Sequence, residues 1–147
     1  MLFRSADGVL AFYGSPTNDL TYLLETVAEV GARPATVGEV LDRLGDQADR
    51  PLLLCGHTHL QRVMRLPTGA TVVNPGSVGW PAYADEKPHP HMMEAGTPHA
   101  RCAVVDDDAG QWNLVFREVT YDWGHAAGLA ENNGRSDIAR ALRTGRS

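Results

Sequence analysis

This chain lacks nearly every feature that would place it in a specialised class. It has two cysteines, Cys55 and Cys102, too few for a disulfide framework. Each lies in an apolar, strand-like run, so both are expected to be buried, reduced thiols. There is no excess of basic charge: the formal net charge is −5, which leaves nucleic-acid binding without an electrostatic footprint. Lys87 is the only lysine and every other cation is arginine, a bias that, with the abundant alanine, reads as genomic base composition. No apolar run approaches the length of a membrane span and no signal-peptide pattern opens the sequence. A cytoplasmic protein with no membrane partner is therefore expected. Repeats and linkers are missing too. What is left is a chain of 147 residues, 43% hydrophobic and 21% charged, ordinary for one globular domain and long enough to bury a core.

Hydrophobic patterning and turn residues divide the chain into alternating elements. Gly8–Tyr13 reads as a short strand that stops at Gly14-Ser15-Pro16. Asn18 or Asp19 caps an expected helix carrying Leu20, Leu23, Leu24 and Val27 and ending near Gly31. Thr36, with Glu39 three residues on, forms a capping box ahead of Val40, Leu41 and Leu44. Pro51–Cys55 is a buried strand. Gln61–Leu66 and Ala70–Asn74 flank Pro67-Thr68-Gly69 as a hairpin, and Arg101–Asp106 with Gln111–Thr120 make a second one. On the return strand Trp112, Leu114 and Phe116 share a face. Residues 121–147 form a tail with two helical patterns, Gly124–Glu131 and Ser136–Arg143. The stretch 81–99 is expected to be an irregular loop rich in proline and histidine, and its place makes it a candidate lid. Its His89, His91 and His99 lack an acidic or cysteine partner at ligand spacing, so no second metal site is expected there. The fold class is α/β, with a mixed sheet and β-hairpins, in one domain.

The chemistry concentrates at Gly56-His57-Thr58-His59. The glycine lets the backbone turn sharply after the buried strand. Two imidazoles one residue apart then stand at the carboxyl edge of a sheet, where open α/β folds place ligands. A turn can converge His57 and His59 on one site, and neutral imidazole is the commonest side-chain metal ligand. Further on, Asn74-Pro75-Gly76-Ser77-Val78-Gly79 is a turn-rich loop whose free N–H groups suit an oxyanion, although a plain hairpin exit needs the same residues.

In order along the chain, Tyr13-Gly14-Ser15-Pro16, Gly56-His57-Thr58-His59, Asn74-Pro75-Gly76-Ser77 and the tail from Tyr121-Asp122 to Arg143-Thr144-Gly145-Arg146 resemble the calcineurin-like metallophosphoesterases. The resemblance is to the small bacterial phosphodiesterase-like branch and runs from about Gly8 to Arg146. It implies a four-layer α/β/β/α sandwich, of which this chain would be the C-terminal half. It also implies two divalent ions, commonly manganese, iron, zinc or nickel, and a metal-bound hydroxide that attacks a phosphate ester in line. By the same resemblance His57 and His59 are metal ligands, and Gly56, Asn74, Gly76 and Ser77 line the phosphate site.

The departures from that pattern matter as much. The family's Asp-x-His, Gly-Asp-x-x-Asp and Gly-Asn-His-Asp/Glu motifs belong ahead of the segment where this sequence starts, and Met1–Phe12 holds no substitute. Tyr13 stands where the family has a histidine ligand. With a pKa of about 10 a phenol is a poor ligand at neutral pH, so Tyr13 is a degenerate ligand position. Two histidines are too few for even one closed zinc site, which needs about four ligands. A divalent ion is expected to bind this chain alone weakly or not at all, and no catalytic residue is assigned. The apolar faces of Gly8–Tyr13 and Pro51–Cys55 are expected to lack neighbours, which predicts marginal stability, self-association or a partner.

Three readings follow. The chain is a severed C-terminal part of a phosphoesterase, inactive alone. For this, Leu2-Phe3-Arg4-Ser5 is what the adapter codons CTC-TTC-CGA-TCT encode, so residues 1–5 are expected to be non-native. Alternatively it is a non-catalytic interaction module, or one half of a split enzyme completed by a separate N-terminal chain.

Overall fold

A computed structural model describes residues 2–6 and 8–147, with side chains from Gly8 onward. Its centre is a five-stranded mixed sheet in the order β1-β2-β5-β7-β6. The strands are β1 (Leu2–Ala6), β2 (Val9–Phe12), β5 (Leu52–Leu54), β7 (Thr71–Pro75) and β6 (Gln61–Arg65). β2, β5 and β7 run parallel, in the register Val9 to Leu52 to Thr71. β1 and β6 join the two sides antiparallel. Residues 2–5 of the segment expected to be non-native lie in the edge strand β1.

Strand register explains where the motifs land. Because β2, β5 and β7 point the same way in line, their carboxyl ends open at one edge of the sheet. Tyr13-Gly14-Ser15-Pro16 leaves β2 there, Gly56-His57-Thr58-His59 leaves β5, and the residues after Asn74-Pro75 leave β7. This is the ligand-bearing edge of an α/β sheet. Three loops far apart in sequence meet at one rim.

The core lies beneath that rim. Leu10, Phe12, Leu53, Cys55 and Val72 from the strands pack against Leu23, Leu24, Val40 and Leu44. Helix α1 (Val37–Leu44) begins as its capping box predicts: Thr36 Oγ1 accepts from the Glu39 N–H, and the Glu39 carboxylate accepts from the Thr36 N–H at 2.7 Å. Arg33 donates to both Glu39 oxygens, so this guanidinium, with the Thr36 bonds, holds the carboxyl well below its usual range. The expectation that β2 and β5 lack neighbours is corrected here. β2 lies between β1 and β5, β5 between β2 and β7, and α1 with Leu23 and Leu24 covers one face.

The helix expected over Leu20–Val27 does not form. Asn18 makes a turn instead, its carbonyl accepting from Ser15 N and its Oδ1 from Leu20 N. The chain then enters a hairpin of β3 (Glu25–Ala28) and β4 (Gly31–Pro34). Leu20 is exposed while Leu23 and Leu24 are buried, so the apolar spacing came from an extended path and not from one helix face. Arg43 of α1 stabilises that path, donating to the Leu23 and Glu25 carbonyls at 2.9 Å each and to Thr26 Oγ1. No local pattern announces such a distant donor.

The stretch 81–99 is likewise not wholly irregular. It contains a hairpin of its own, β8 (Ala82–Asp85) paired with β9 (His91–Glu94). A long ribbon, β10 (Ala100–Asp108) with β11 (Gln111–Val119), follows with Trp112, Leu114 and Phe116 half-buried on one face. Helices α2 (Trp123–Asn132) and α3 (Ser136–Thr144) close the chain and pack together through Ala127, Ala139 and Leu142. Among the described residues no helix is long and apolar enough to cross a membrane.

Candidate functional site

The histidine turn carries backbone strain. His57 has φ 68° and His59 has φ 63°, left-handed conformations that cost non-glycine residues on the order of 1–3 kcal/mol each unless the surroundings impose them. Thr58 lies between them, fully buried, with its N–H donating to the Gly56 carbonyl at 2.8 Å. The turn therefore drives Thr58 inward and throws both imidazoles to the rim.

Asn74 imposes this shape. Its Nδ2 donates to the Gly56 carbonyl at 2.8 Å and to Thr58 Oγ1 at 3.0 Å, while its Oδ1 accepts from the Gly76 N–H at 3.0 Å. One buried amide thus ties the loop after β7 to the turn after β5. Asn74 underlies the site and does not face it, being 1% exposed. Gly76 is also structural: with φ 86° it faces Arg101 Cβ and Gln61 Cγ, which a Cβ would meet at 2.8 and 3.0 Å. Ser77 caps its own loop, its Oγ accepting from the Trp80 N–H at 3.0 Å. Gly56 donates its N–H to the Tyr13 carbonyl at 2.8 Å, pinning the loop after β2 to the histidine turn.

The walls of the site are aromatic. The His57 ring lies 4.8 Å from the ring of Tyr13 and 4.6 Å from that of Tyr22. His59 lies 5.1 Å from Tyr83 and 5.9 Å from Trp80. Tyr83 Oη donates toward Tyr22 Oη at 2.9 Å and the His57 carbonyl at 3.1 Å. Tyr22 Oη in turn meets His91 Nε2 at 3.0 Å, and His91 Nδ1 meets the His89 carbonyl at 2.8 Å. His91, read from the sequence as a loop histidine, is therefore a buried anchor for the turn. Tyr22, Trp80 and Tyr83 were not singled out by sequence reasoning. Nothing local marks them, because their proximity to the histidines comes from hairpins far apart along the chain.

Burial lowers the pKa of both histidines. At His57, hydrogen bonding to the backbone of His57 and Leu20 opposes the shift. At His59, hydrogen bonding to Trp80 opposes it and the nearby charge of His57 adds to it. Folding therefore favours the neutral rings. Stability is expected to be constant above the ordinary value of 6.5 and to fall as pH drops below it, because the unfolded chain takes up protons that the folded one resists. Urea unfolding at about pH 7.5 and about pH 5.5 measures that slope, and changing His57 and His59 together to asparagine should flatten it.

Whether these residues suit a metal can be judged from the donors. His59 Nδ1 is buried with no hydrogen-bond partner, as an atom reserved for a ligand would be. Against this, among the described residues no group of three His, Cys, Asp or Glu is close enough to hold an ion. Tyr13 presents a ring to His57, and among the described residues no carboxylate joins the two imidazoles. The donor set of the described residues does not fit a two-metal centre.

No protein-family model and no curated protein sequence matches the chain. Solved structures do. A hypothetical protein of Pyrococcus horikoshii superposes with a TM-score of 0.64 at 20% identity, over 99% of this chain and 50% of its own. A metallophosphoesterase of Sphaerobacter thermophilus superposes with a TM-score of 0.63 at 19% identity, over 98% of this chain and 57% of its own. The fold is metallophosphoesterase-like. The chain spans about half the length of these structures.

Proposed function

We propose that this chain is the C-terminal part of a metal-dependent phosphoesterase, inactive in isolation, with His57 and His59 as two ligands of a centre whose remaining donors lie outside it. The observation that carries this reading is the left-handed turn locked by Asn74. It spends strain to aim two neutral imidazoles at the carboxyl edge of the parallel strands, and one of them keeps a buried nitrogen unpartnered. A merely structural loop has no use for strain at two histidines. In this reading the metals are manganese, iron, zinc or nickel, the substrate is a phosphate ester, and the chain associates with the missing half or with itself.

The test has two parts. The source DNA is read upstream of the Met1 codon for an open frame encoding Gly-Asn-His-Asp, Gly-Asp-x-x-Asp and Asp-x-His motifs. The longer polypeptide is then assayed with manganese and bis(p-nitrophenyl) phosphate. Activity lost in His57→Ala and in His59→Ala is the expected result. An open frame without those motifs, or hydrolysis indifferent to both substitutions, overturns the reading.

One observation favours the interaction-module reading instead: Tyr13, expected from the resemblance to be a degenerate ligand position, packs its ring on His57. Restoring histidine at position 13 discriminates the two. A severed enzyme gains manganese affinity in Tyr13→His, measured by calorimetry, whereas an interaction module is indifferent.

A further inference from the structure

A buried carboxylate oxygen in the β3–β4 hairpin lacks the donor it needs. Glu25, the first residue of β3, is 2% exposed. Its Oε1 accepts from Arg62 Nε at 2.6 Å, a one-point contact where a guanidinium can make two. Its Oε2 is buried and has no hydrogen-bond partner among the described residues. Arg43 reaches Glu25 at the backbone carbonyl and not at the side chain. A buried charge in that state is costly unless a donor meets it.

Glu25 and Arg62 line a cavity of about 250 Å³, smaller than the roughly 300–1,000 Å³ of pockets for drug-sized ligands. β3, β4, β6 and β9 each supply part of its wall. Glu25 and Met93 are buried at its inner end, and Met92 is exposed at its outer end. Of the two arginines in the wall, Arg33 is already spent, with both Nη atoms on the Glu39 carboxylate. Arg62 offsets Glu25. Glu94 is left over: it accepts from the Ser147 N–H and hydroxyl, both neutral donors. The lining thus holds an excess of negative charge beside apolar surface from Met92, Met93 and Leu60. A cation on a short alkyl stem suits both features, its head donating to carboxylate and its stem lying on the apolar side chains. An anion meets only a guanidinium that Glu25 already engages. A lone water could donate to Oε2 but leaves the apolar wall without a partner.

We infer that this cavity binds a primary alkylammonium, its head on Glu25 Oε2 and its stem against Met92 and Met93. Free small amines and the lysine side chain of another protein share that chemistry. The site uses neither metal nor phosphate, so it stands independently of the phosphoesterase reading.

The test follows the methionine methyl resonances of the full chain by NMR as n-butylammonium chloride is added, with sodium chloride as the ionic control. Saturable shifts of the Met92 and Met93 methyls are expected at millimolar amine. The uncharged isostere n-butanol should bind at least about tenfold more weakly. Glu25→Gln keeps an acceptor for Arg62 and removes the charge, and should weaken the amine by about tenfold or more. Ala32→Lys, at an exposed position on the wall, leaves the buried pair in place and supplies a competing ammonium. It should abolish binding while the melting temperature is kept. Nα-acetyl-lysine N-methylamide separates the sources: tighter binding than n-butylammonium points to a protein lysine, weaker binding to a free amine, and either sustains the site. Methyls that stay unmoved, or that move equally with sodium chloride or n-butanol, overturn the inference. So does either variant binding the amine like the parent.

Discussion

Asn74→Ala is expected to unfold the protein more readily than any other single truncation at the rim. The substitution strands the Thr58 hydroxyl and the Gly76 N–H and takes from the Gly56 carbonyl one of its two donors, the other being the Thr58 N–H. Thr58 and Asn74 are both buried, so water cannot easily replace the lost partner. An unsatisfied buried polar group costs about 1–3 kcal/mol; with partial relaxation, a total loss on the order of 3 kcal/mol or more is expected. The left-handed backbone at His57 and His59 makes the loss larger, because the amide is part of what holds that strain. Urea unfolding measures it. Asn74→Asp separates the donors from the acceptor, since a carboxylate keeps the bond from Gly76 but opposes the Gly56 carbonyl. It should be nearly as harmful as alanine. A loss under about 1 kcal/mol in both variants would mean that the turn stands without the amide.

Gly145→Ala carries the second large effect, at the far end of the chain. Gly145 ends α3 in the left-handed region, φ 67°, with its N–H donating to the Ala141 carbonyl. Its own carbonyl accepts from the Gly96 N–H at 2.8 Å, docking the helix end on the segment after β9. A Cβ there would collide with the backbone N, C and O of Thr97, the carbonyl carbon at 2.5 Å. Backbone cannot rotate away as a side chain can, so α3 must detach or Thr97 must move. A cost of about 3 kcal/mol or more is expected. Gly128→Ala in α2 is the matched control. Nothing lies within 4 Å of its Cβ position, and alanine there should stabilise the helix by up to about 1 kcal/mol. Thermal unfolding of the two variants side by side checks the contrast. Equal melting temperatures would refute the account. Because Arg140 lies on α3, undocking should also disturb the cavity it shares with Trp80.

How much could be read in advance depended on the range of the interactions. The capping box at Thr36 and Glu39, the hairpin on either side of Pro67-Thr68-Gly69, and the two tail helices are local, and all form as their patterns predict. The segment from Leu20 to Val27 did not, because Arg43 and the Asn18 turn override an apolar spacing that suited a helix. Residues 81–99 concealed the β8–β9 hairpin behind prolines and histidines. The likeness of the glycine, histidine and asparagine motifs to metallophosphoesterases pointed to the fold that the structural comparisons then supported.

The sequence by itself determined which residues turn the chain, which strands are buried, and that His57 and His59 leave β5 together. Those outcomes follow from backbone geometry and hydrophobic periodicity over a few residues. Only the tertiary structure decided what surrounds those histidines. The aromatic wall of Tyr22, Trp80 and Tyr83, the inward role of Asn74, and the buried His91 all depend on packing between segments distant in sequence. Such contacts form because strand register and hairpin docking bring the loops to one edge of the sheet, and local sequence carries no record of that convergence.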